Sequence, residues 1–208
     1  MSWKFDQSVA EIFPDHARAH IPHYEEVLEQ SLQLCSLYKK DAAIVDVGVA
    51  TGETIVKLAN AGFNHLYGID NSQEMLNACP PGIATLINSD TFPESIKFDV
   101  ILINWTLHFI ESKQAYLTKV YDALQSGGAL FISEKISNAK ILKEFYYDLK
   151  RSHGVTEEEI RAKEASLEGV MFINDIEWYL RVLKDLGFEE VYVVNAYWSF
   201  ASFLCIKK

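Results

Sequence analysis

The sequence predicts an α/β fold: a seven-stranded, mostly parallel sheet with an antiparallel hairpin at its C-terminal end and helices on both faces. Strand and helix patterns alternate through the first two thirds of the chain, the order of a parallel sheet whose crossovers cover both faces. Two short apolar runs, Ile44-Val45-Asp46-Val47 and Leu66-Tyr67-Gly68-Ile69-Asp70, each deliver an acid at the carboxyl end, and the first breaks into the glycine-punctuated turn Gly48-Val49-Ala50-Thr51-Gly52. Two extended runs close the chain, Val191 to Ala196 and Ser199 to Ile206, and so short a connection demands an antiparallel pair.

Residues 6 to 38 read as helical, with Val27, Leu28, Leu32, Leu34, Cys35 and Tyr38 in an apolar stripe at helical spacing and Pro22 suited to a first turn. The first strand then runs to Asp46. A helix after Gly52 turns Ile55, Val56, Leu58 and Ala59 inward and ends at Gly62, and the second strand follows to Asp70. Ser72 is placed to N-cap the next helix, which Pro80-Pro81 stops. Ile83 to Ile87 forms the third strand and Phe98 to Ile103, bounded by Asn104, the fourth, whose continuous Val and Ile mark burial on both faces. A helix over Tyr116 to Leu124 closes on Gly127-Gly128, and Ala129 to Ser133 completes the parallel core. Residues 138 to 173 read as a helical insertion or lid over the crevice, and a last helix runs from Asp175 to Leu186 before Gly187.

With 208 residues and 49% hydrophobic content, residues 1 to 208 form one globular domain, with 1 to 40 as its N-terminal helical segment. Such a chain buries roughly 70% of its unfolded surface. A net charge of -10, from 29 acids against 19 bases, works against tight binding to a nucleic-acid backbone, which needs clustered Lys and Arg. Cys35, Cys79 and Cys205 are far apart, odd in number and without metal-ligand spacing, which points to a reducing compartment and no metal. The start lacks the apolar stretch of a signal peptide, and no apolar run reaches the roughly 18 residues that span a bilayer. The expected setting is cytoplasmic.

In an open parallel sheet, ligands sit outside the carboxyl ends of the strands at the switch point, and an acid about 20 residues past the glycine turn accepts hydrogen bonds from a ribose. Asp70 lies at that distance from Gly48. Five parallel strands, a terminal hairpin and acids ending strands one and two resemble the Rossmann-like class I S-adenosylmethionine-dependent methyltransferases. That cofactor carries no phosphate, which suits the absence of a full G-x-G-x-x-G. A nicotinamide oxidoreductase fits poorly for the same reason. On this reading Gly48 lets backbone approach the methionine part, Asp46 holds the ammonium directly or through water, Asp70 takes the ribose diol and Asp90 accepts from the adenine amino group. Each charge-assisted bond is worth roughly 1.5 to 3 kcal/mol.

A nearer resemblance lies in Phe5-Asp6 through Val9-Ala10-Glu11-Ile12-Phe13-Pro14-Asp15, Ile69-Asp70-Asn71-Ser72, Asn104-Trp105-Thr106-Leu107, Gly127-Gly128-Ala129-Leu130, Ser133-Glu134-Lys135 and Leu167-Glu168-Gly169-Val170-Met171. In order and spacing these are similar to the carboxy-S-adenosylmethionine synthases of bacterial tRNA wobble-uridine modification. The resemblance covers almost the whole chain. It implies that Tyr24, Gly48, Val49, Ala50, Asp70, Asn71, Asp90, Thr91 and Asn104 bind the cofactor, and that the protein is a homodimer. It also marks a departure. The synthases carry an arginine that pairs with the extra carboxylate of their cofactor, and the ungapped position here is Glu164. Two like charges 4 Å apart at an effective dielectric of 20 repel by about 4 kcal/mol, enough to reverse a preference for the carboxylated form. Lys163 or Arg161 restores the positive charge if the register slips. Val49-Ala50 stands where the synthases usually carry Cys-Ser.

The expected function is therefore a methyltransferase using S-adenosylmethionine, with S-adenosylhomocysteine as product, on a small-molecule acceptor. A synthase-like enzyme and a non-catalytic cofactor-binding subunit, docking through the amphipathic helix of residues 23 to 38, are the alternatives. An amine acceptor needs no base, whereas a hydroxyl or phenol does, and His108 after strand four is the candidate. Trp105, Tyr146 and Tyr147 are candidates for the acceptor pocket. Each has a plain structural reading as well, His108 as a packed histidine and the aromatics as core.

Overall fold

A computed structural model describes residues 5–93 and 95–208 of the chain. The strands are β1 (Ile44–Val47), β2 (Leu66–Asp70), β3 (Thr85–Asn88), β4 (Phe98–Asn104), β5 (Leu124–Lys135), β6 (Glu190–Tyr197) and β7 (Phe200–Ile206). They form one sheet in the order β3-β2-β1-β4-β5-β7-β6. β1 pairs in parallel with both β2 and β4, and β7 runs antiparallel to both of its neighbours. The chain leaves β1 to one side and returns to its other side as β4. The switch point is between those two strands, and a crevice opens at their carboxyl ends.

Side chains along a strand alternate between faces, and the core divides accordingly. Val45, Val47, Ile101, Ile103, Leu130 and Ile132 face a layer that includes Leu117, Val120, Tyr179 and Leu183. Ile44, Val100, Leu102, Ala129 and Phe131 face the other layer, with Val27, Leu34, Cys35, Ile55 and Leu58. The helices of the first layer are α5 (Lys113–Ala123) and α8 (Ile176–Asp185); those of the second are α2 (Tyr24–Cys35) and α3 (Glu53–Asn60). The apolar face of α2 thus packs into this chain's own core. Among the described residues no helix is long and apolar enough to cross a membrane.

The elements differ from expectation where glycine and proline act. Residues 6 to 38 are two helices, α1 (Gln7–His20) and α2, because Pro22 has no N–H to donate and disfavours helical geometry at Ile21, which is extended. His23 follows with φ 55°. The start of β3 moves from Ile83 to Thr85, since Pro80, Pro81 and Gly82 consume the turn. β5 begins at Leu124 and runs through Gly127-Gly128, where β4 and β5 shift register; a Cβ on Gly128 would meet Asp99 O at 2.9 Å. The helical insertion is two helices, α6 (Lys140–Ser152) and α7 (Glu157–Leu167), parted at Gly154 with φ 83° and restarted by a capping box between Thr156 and Glu159. Ser72 and Asp175 cap α4 (Gln73–Ala78) and α8 as expected. Tyr146, Tyr147, Val155 and Ile160 of the insertion pack with Phe200 against Ala19, Ile21 and Trp105, so α1, α6 and α7 together roof the crevice.

Candidate functional site

Beneath that roof lies a cavity of about 1060 Å³, lined from the ends of β1, β2 and β4 to α6 and α7. One end is acidic. Gly48, with φ 71°, is the tightest point of the turn after β1: a Cβ there would sit 1.9 Å from Thr106 Oγ1, which donates to Val47 O at 3.0 Å. Only glycine lets the two strand ends close in this way. The amides of Gly48 and Val49 donate to Ile69 O at 2.7 and 3.0 Å, tying the turn to β2, and Val49 packs beneath Gly68. Ala50, with φ 48°, donates its amide to one oxygen of Asp70 at 3.0 Å, and Ser72 donates to the other at 2.9 Å. A carboxylate offers about four lone-pair sites, so Asp70 is held by two backbone amides and keeps acceptor capacity for a ligand on the cavity wall.

Asp46 is 3% exposed, and burial pushes its carboxyl up to about 7 against the pull of a Thr54 hydrogen bond. Asn104 donates to Ser31 Oγ at 3.2 Å, while its own Oδ1 is buried and, like Thr51 Oγ1, has no hydrogen-bond partner among the described residues. A buried acid that has no counter-charge among the described residues, beside acceptors likewise unmatched there, fits a ligand that brings several donors on a cation, which is what an amino-acid ammonium is. Tyr24 stacks on Trp105 at 4.9 Å between ring centroids and donates to Glu53 at 2.7 Å. Arg18 pairs with that same Glu53 at 2.5 Å, linking α1 to α3. Asn71 and Asp90 are on the lining. Thr91 is not among the lining residues, and its amide donates to Ser89 Oγ at 3.1 Å.

His108 stands in the short turn Leu107–Phe109 after β4, lines the cavity and is 6% exposed. Its Nδ1 lies 2.6 Å from an oxygen of the fully buried Glu134 at the end of β5. Glu134 also accepts from the amides of Thr106, Leu107 and His108 at 2.8, 2.6 and 3.2 Å. The sequence reading singled out His108, as a candidate base or a packed histidine, but not the carboxylate it meets in the fold. The signal was a charged residue, Glu134, ending a strand that is otherwise apolar.

The opposite end of the cavity is basic, and most of it went unforeseen. Lys135 at the end of β5, Lys143 and Lys150 on α6, Lys163 on α7 and His16 and His20 on α1 all line it. Lys150 is 3% exposed, its ammonium 4.5 Å from the centroid of Tyr146; Lys135 approaches the same ring at 5.3 Å. Burial, reinforced by neighbouring ammonium groups, holds Lys135 and Lys150 down to about 8 and Lys163 to about 6. Burial likewise holds His16 at about 3, helped by His20, whose ring stacks on it at 3.9 Å. Among the described residues no carboxylate stands within ion-pair distance of Lys135 or Lys150.

Glu164 does line the cavity, but its charge does not stand alone. Lys143 pairs with it at 2.7 Å, and Tyr147 donates its hydroxyl to it. The expected repulsion of about 4 kcal/mol toward an added carboxylate does not hold for a neutralised acid among lysines. Arg161 supplies no rescue: its side chain is 77% exposed and pairs with Glu157. Tyr146 is on the lining and donates to His20 O at 2.9 Å, whereas Tyr147 is off the lining and serves Glu164.

Known proteins share this architecture. Residues 45–132 match the methyltransferase domain family. The chain is 31% identical to the carboxy-S-adenosyl-L-methionine synthase of Nautilia profundicola, over 99% of this chain and 94% of that protein. It is 32% identical to the enzyme of the same name from Helicobacter hepaticus, over 99% and 95%. Its fold matches the crystal structure of magnesium protoporphyrin IX methyltransferase from Synechocystis with bound S-adenosylhomocysteine, with a TM-score of 0.67 at 13% identity, covering 92% of this chain and 86% of that one.

Proposed function

The chain belongs to the carboxy-S-adenosyl-L-methionine synthase family, and on that premise we propose that this member is a methyltransferase that passes the methyl group of S-adenosylmethionine to a small-molecule acceptor. The carrying observation is the acidic end of the cavity, where a buried acid, a partnerless acceptor and a glycine-opened turn converge at the switch point. Bound there, the cofactor supplies an electrophilic methyl on a sulfonium sulfur. Asp46 and Asn104 would hold its ammonium, Asp70 and Asn71 its ribose, and Asp90 its adenine amino group. Gly48, Val49 and Ala50 would cradle the methionine part with backbone. Tyr24 and Trp105 would close over it, and the α6–α7 pair would serve as the lid.

Displacement at a methyl carbon asks the protein mainly to hold nucleophile, carbon and sulfur in line at near-attack distance, which a roofed cavity does by excluding other poses. Where the acceptor atom is a hydroxyl or phenol, His108 would take its proton on Nε2, because Nδ1 is engaged by Glu134. A second reading, a synthase-like enzyme working with the carboxylated cofactor, is favoured by the lysines around Glu164 and by the names of the relatives. Mass spectrometry of the small molecule released on denaturing protein purified without added cofactor separates the two. S-adenosylmethionine or S-adenosylhomocysteine is the expected result, and carboxy-S-adenosylmethionine overturns the main reading. A homodimer and a cytoplasmic setting belong to the same proposal; the three free, buried cysteines suit a reducing compartment.

A further inference from the structure

We propose that the methyl acceptor is a phenol, and that His108 takes the proton of its hydroxyl while Glu134 holds the imidazole for that task. This rests on the methyl-transfer reading for the donor and goes beyond it by fixing the acceptor atom as oxygen. Glu134 is fully buried, and donors meet both of its oxygens. One oxygen takes the amides of Thr106 and Leu107 at 2.8 and 2.6 Å; the other takes the His108 amide at 3.2 Å and meets His108 Nδ1 at 2.6 Å. A carboxylate offers about four lone-pair sites, so all are in use and none is left for a proton. The hydrogen of the shared contact therefore sits on Nδ1. Nε2 keeps the free lone pair, has no hydrogen-bond partner among the described residues, and belongs to a ring that lines the cavity. The turn that carries the ring is pinned from the other side as well, because Phe172, just after α7, donates its amide to His108 O at 2.7 Å and the buried Lys113 of α5 donates to Phe172 O. Lys113 and Tyr179 of α8 are the titratable groups that face Glu134 from the neighbouring helices. A base held in this way needs no reorganisation when the acceptor arrives.

An amine attacks a sulfonium methyl with its own lone pair and sheds its proton afterwards, so it has no use for a buried base fixed in one tautomer. A hydroxyl has to lose its proton as it attacks. Between a phenol and an imidazole the gap in acidity is roughly 3 to 4 units, which a positioned general base bridges; the gap to an alkyl alcohol is far wider. The lining also suits a flat ring. Trp105, Phe109 and Ile110 flank His108 from its own turn, and Ile136, Ile173 and Phe200 line the cavity from the segments beyond. His108 stands between the two ends of the cavity, with Asn104 and Thr106 before it at the cofactor end and Lys135, next to Glu134, at the basic end. In the transfer the phenolic oxygen bonds to the methyl carbon, the carbon–sulfur bond breaks with its electron pair going to sulfur, and the hydroxyl proton passes to Nε2. A methyl ether, S-adenosylhomocysteine and an imidazolium facing Glu134 result, and the proton then leaves to solvent.

The test uses the full chain saturated with S-adenosylhomocysteine and titrated with 4-nitrophenol, a phenol whose ionised form is coloured, at a pH below its own ionisation midpoint. Saturable binding with growth of the phenolate band is expected. His108→Gln, whose carboxamide still donates to Glu134 but carries no basic nitrogen, should bind S-adenosylhomocysteine as before and lose that band. With S-adenosylmethionine instead, the unaltered protein should form the methyl ether of 4-nitrophenol in preference to the N-methyl product of 4-nitrobenzylamine, and His108→Gln should slow ether formation roughly 10²- to 10⁴-fold. Imidazole nitrogen spectra, with His108 assigned by its loss in that variant, should show Nδ1 protonated and Nε2 bare. A phenolate band that survives in His108→Gln would give the proton to the lysines of the cavity and overturn the proposal. So would N-methylation alone, the opposite tautomer, or no saturable binding of the phenol. Failure to bind S-adenosylhomocysteine at all would instead sink the methyl-transfer reading, and the acceptor with it, whatever the tautomer.

Discussion

The two ends of the cavity are buried alike and built oppositely. The acidic end is made of strand ends, and Asp70 is fixed there by backbone, taking the amides of Ala50 and Ser72, while Gly48 holds the turn against Thr106. The basic end is made of helices inserted after β5 and of α1, and its lysines are held by aromatic faces and by burial. Backbone-held acids stay in place whatever ligand is present. Lysines on long flexible stems adapt to what they meet. The comparison sets a rigid half, braced by the backbone, against a deformable half built of long side chains.

Replacing Asp70 by Ala should break the rigid half outright. It removes the ribose acceptor and strands two amides, so S-adenosylhomocysteine affinity measured by calorimetry should drop by roughly 3 to 5 kcal/mol. Undiminished affinity would mean the cofactor does not lie across these strand ends. Asp46 offers a sharper probe. Its carboxyl ionises near 3.8 in the unfolded chain and near 7 in the folded one. Between those values the folded state holds the extra proton, so stability without ligand should fall as pH rises, by up to about 4 kcal/mol once pH passes the folded value. An arriving ammonium favours the ionised acid, so S-adenosylhomocysteine should restore stability most at the upper end of the range. Asp46→Asn should flatten both profiles in thermal melts.

A smaller effect is expected at Gly48. Alanine there meets Thr106 and must adopt φ 71°, which should cost about 2 kcal/mol in denaturant unfolding, and Thr106→Ser should not relieve it, because the hydroxyl rather than the methyl is the closest atom. Least costly to the fold is Glu164→Gln. The acid is partly exposed and shares its charge with Lys143, so stability should change by less than about 1 kcal/mol. Its consequence belongs to the basic end, where Lys143 becomes uncompensated and anion binding should strengthen; weakened binding would mean that Glu164 positions the lysines.

The pattern of apolar runs and turn residues determined the sheet, the closing hairpin, the capped helices and the acids at the tips of β1 and β2, because alternation, glycine turns and strand-end positions are local properties. Legible too were His108 and Trp105, one residue at a time. Glu134 was not, since a buried carboxylate becomes intelligible only when the four groups donating to it, from a different strand and turn, are seen beside it. Nor could the meaning of Glu164 be read along the chain. Its sign is a fact of sequence, but Lys143 lies on another helix and Lys135 on a strand, and the charge of a site is the sum over everything folded against it. The sequence by itself therefore determined the strand ends and the acids they carry; only the tertiary structure decided that the far end of the same cavity is basic, because electrostatics acts through space and not along the chain.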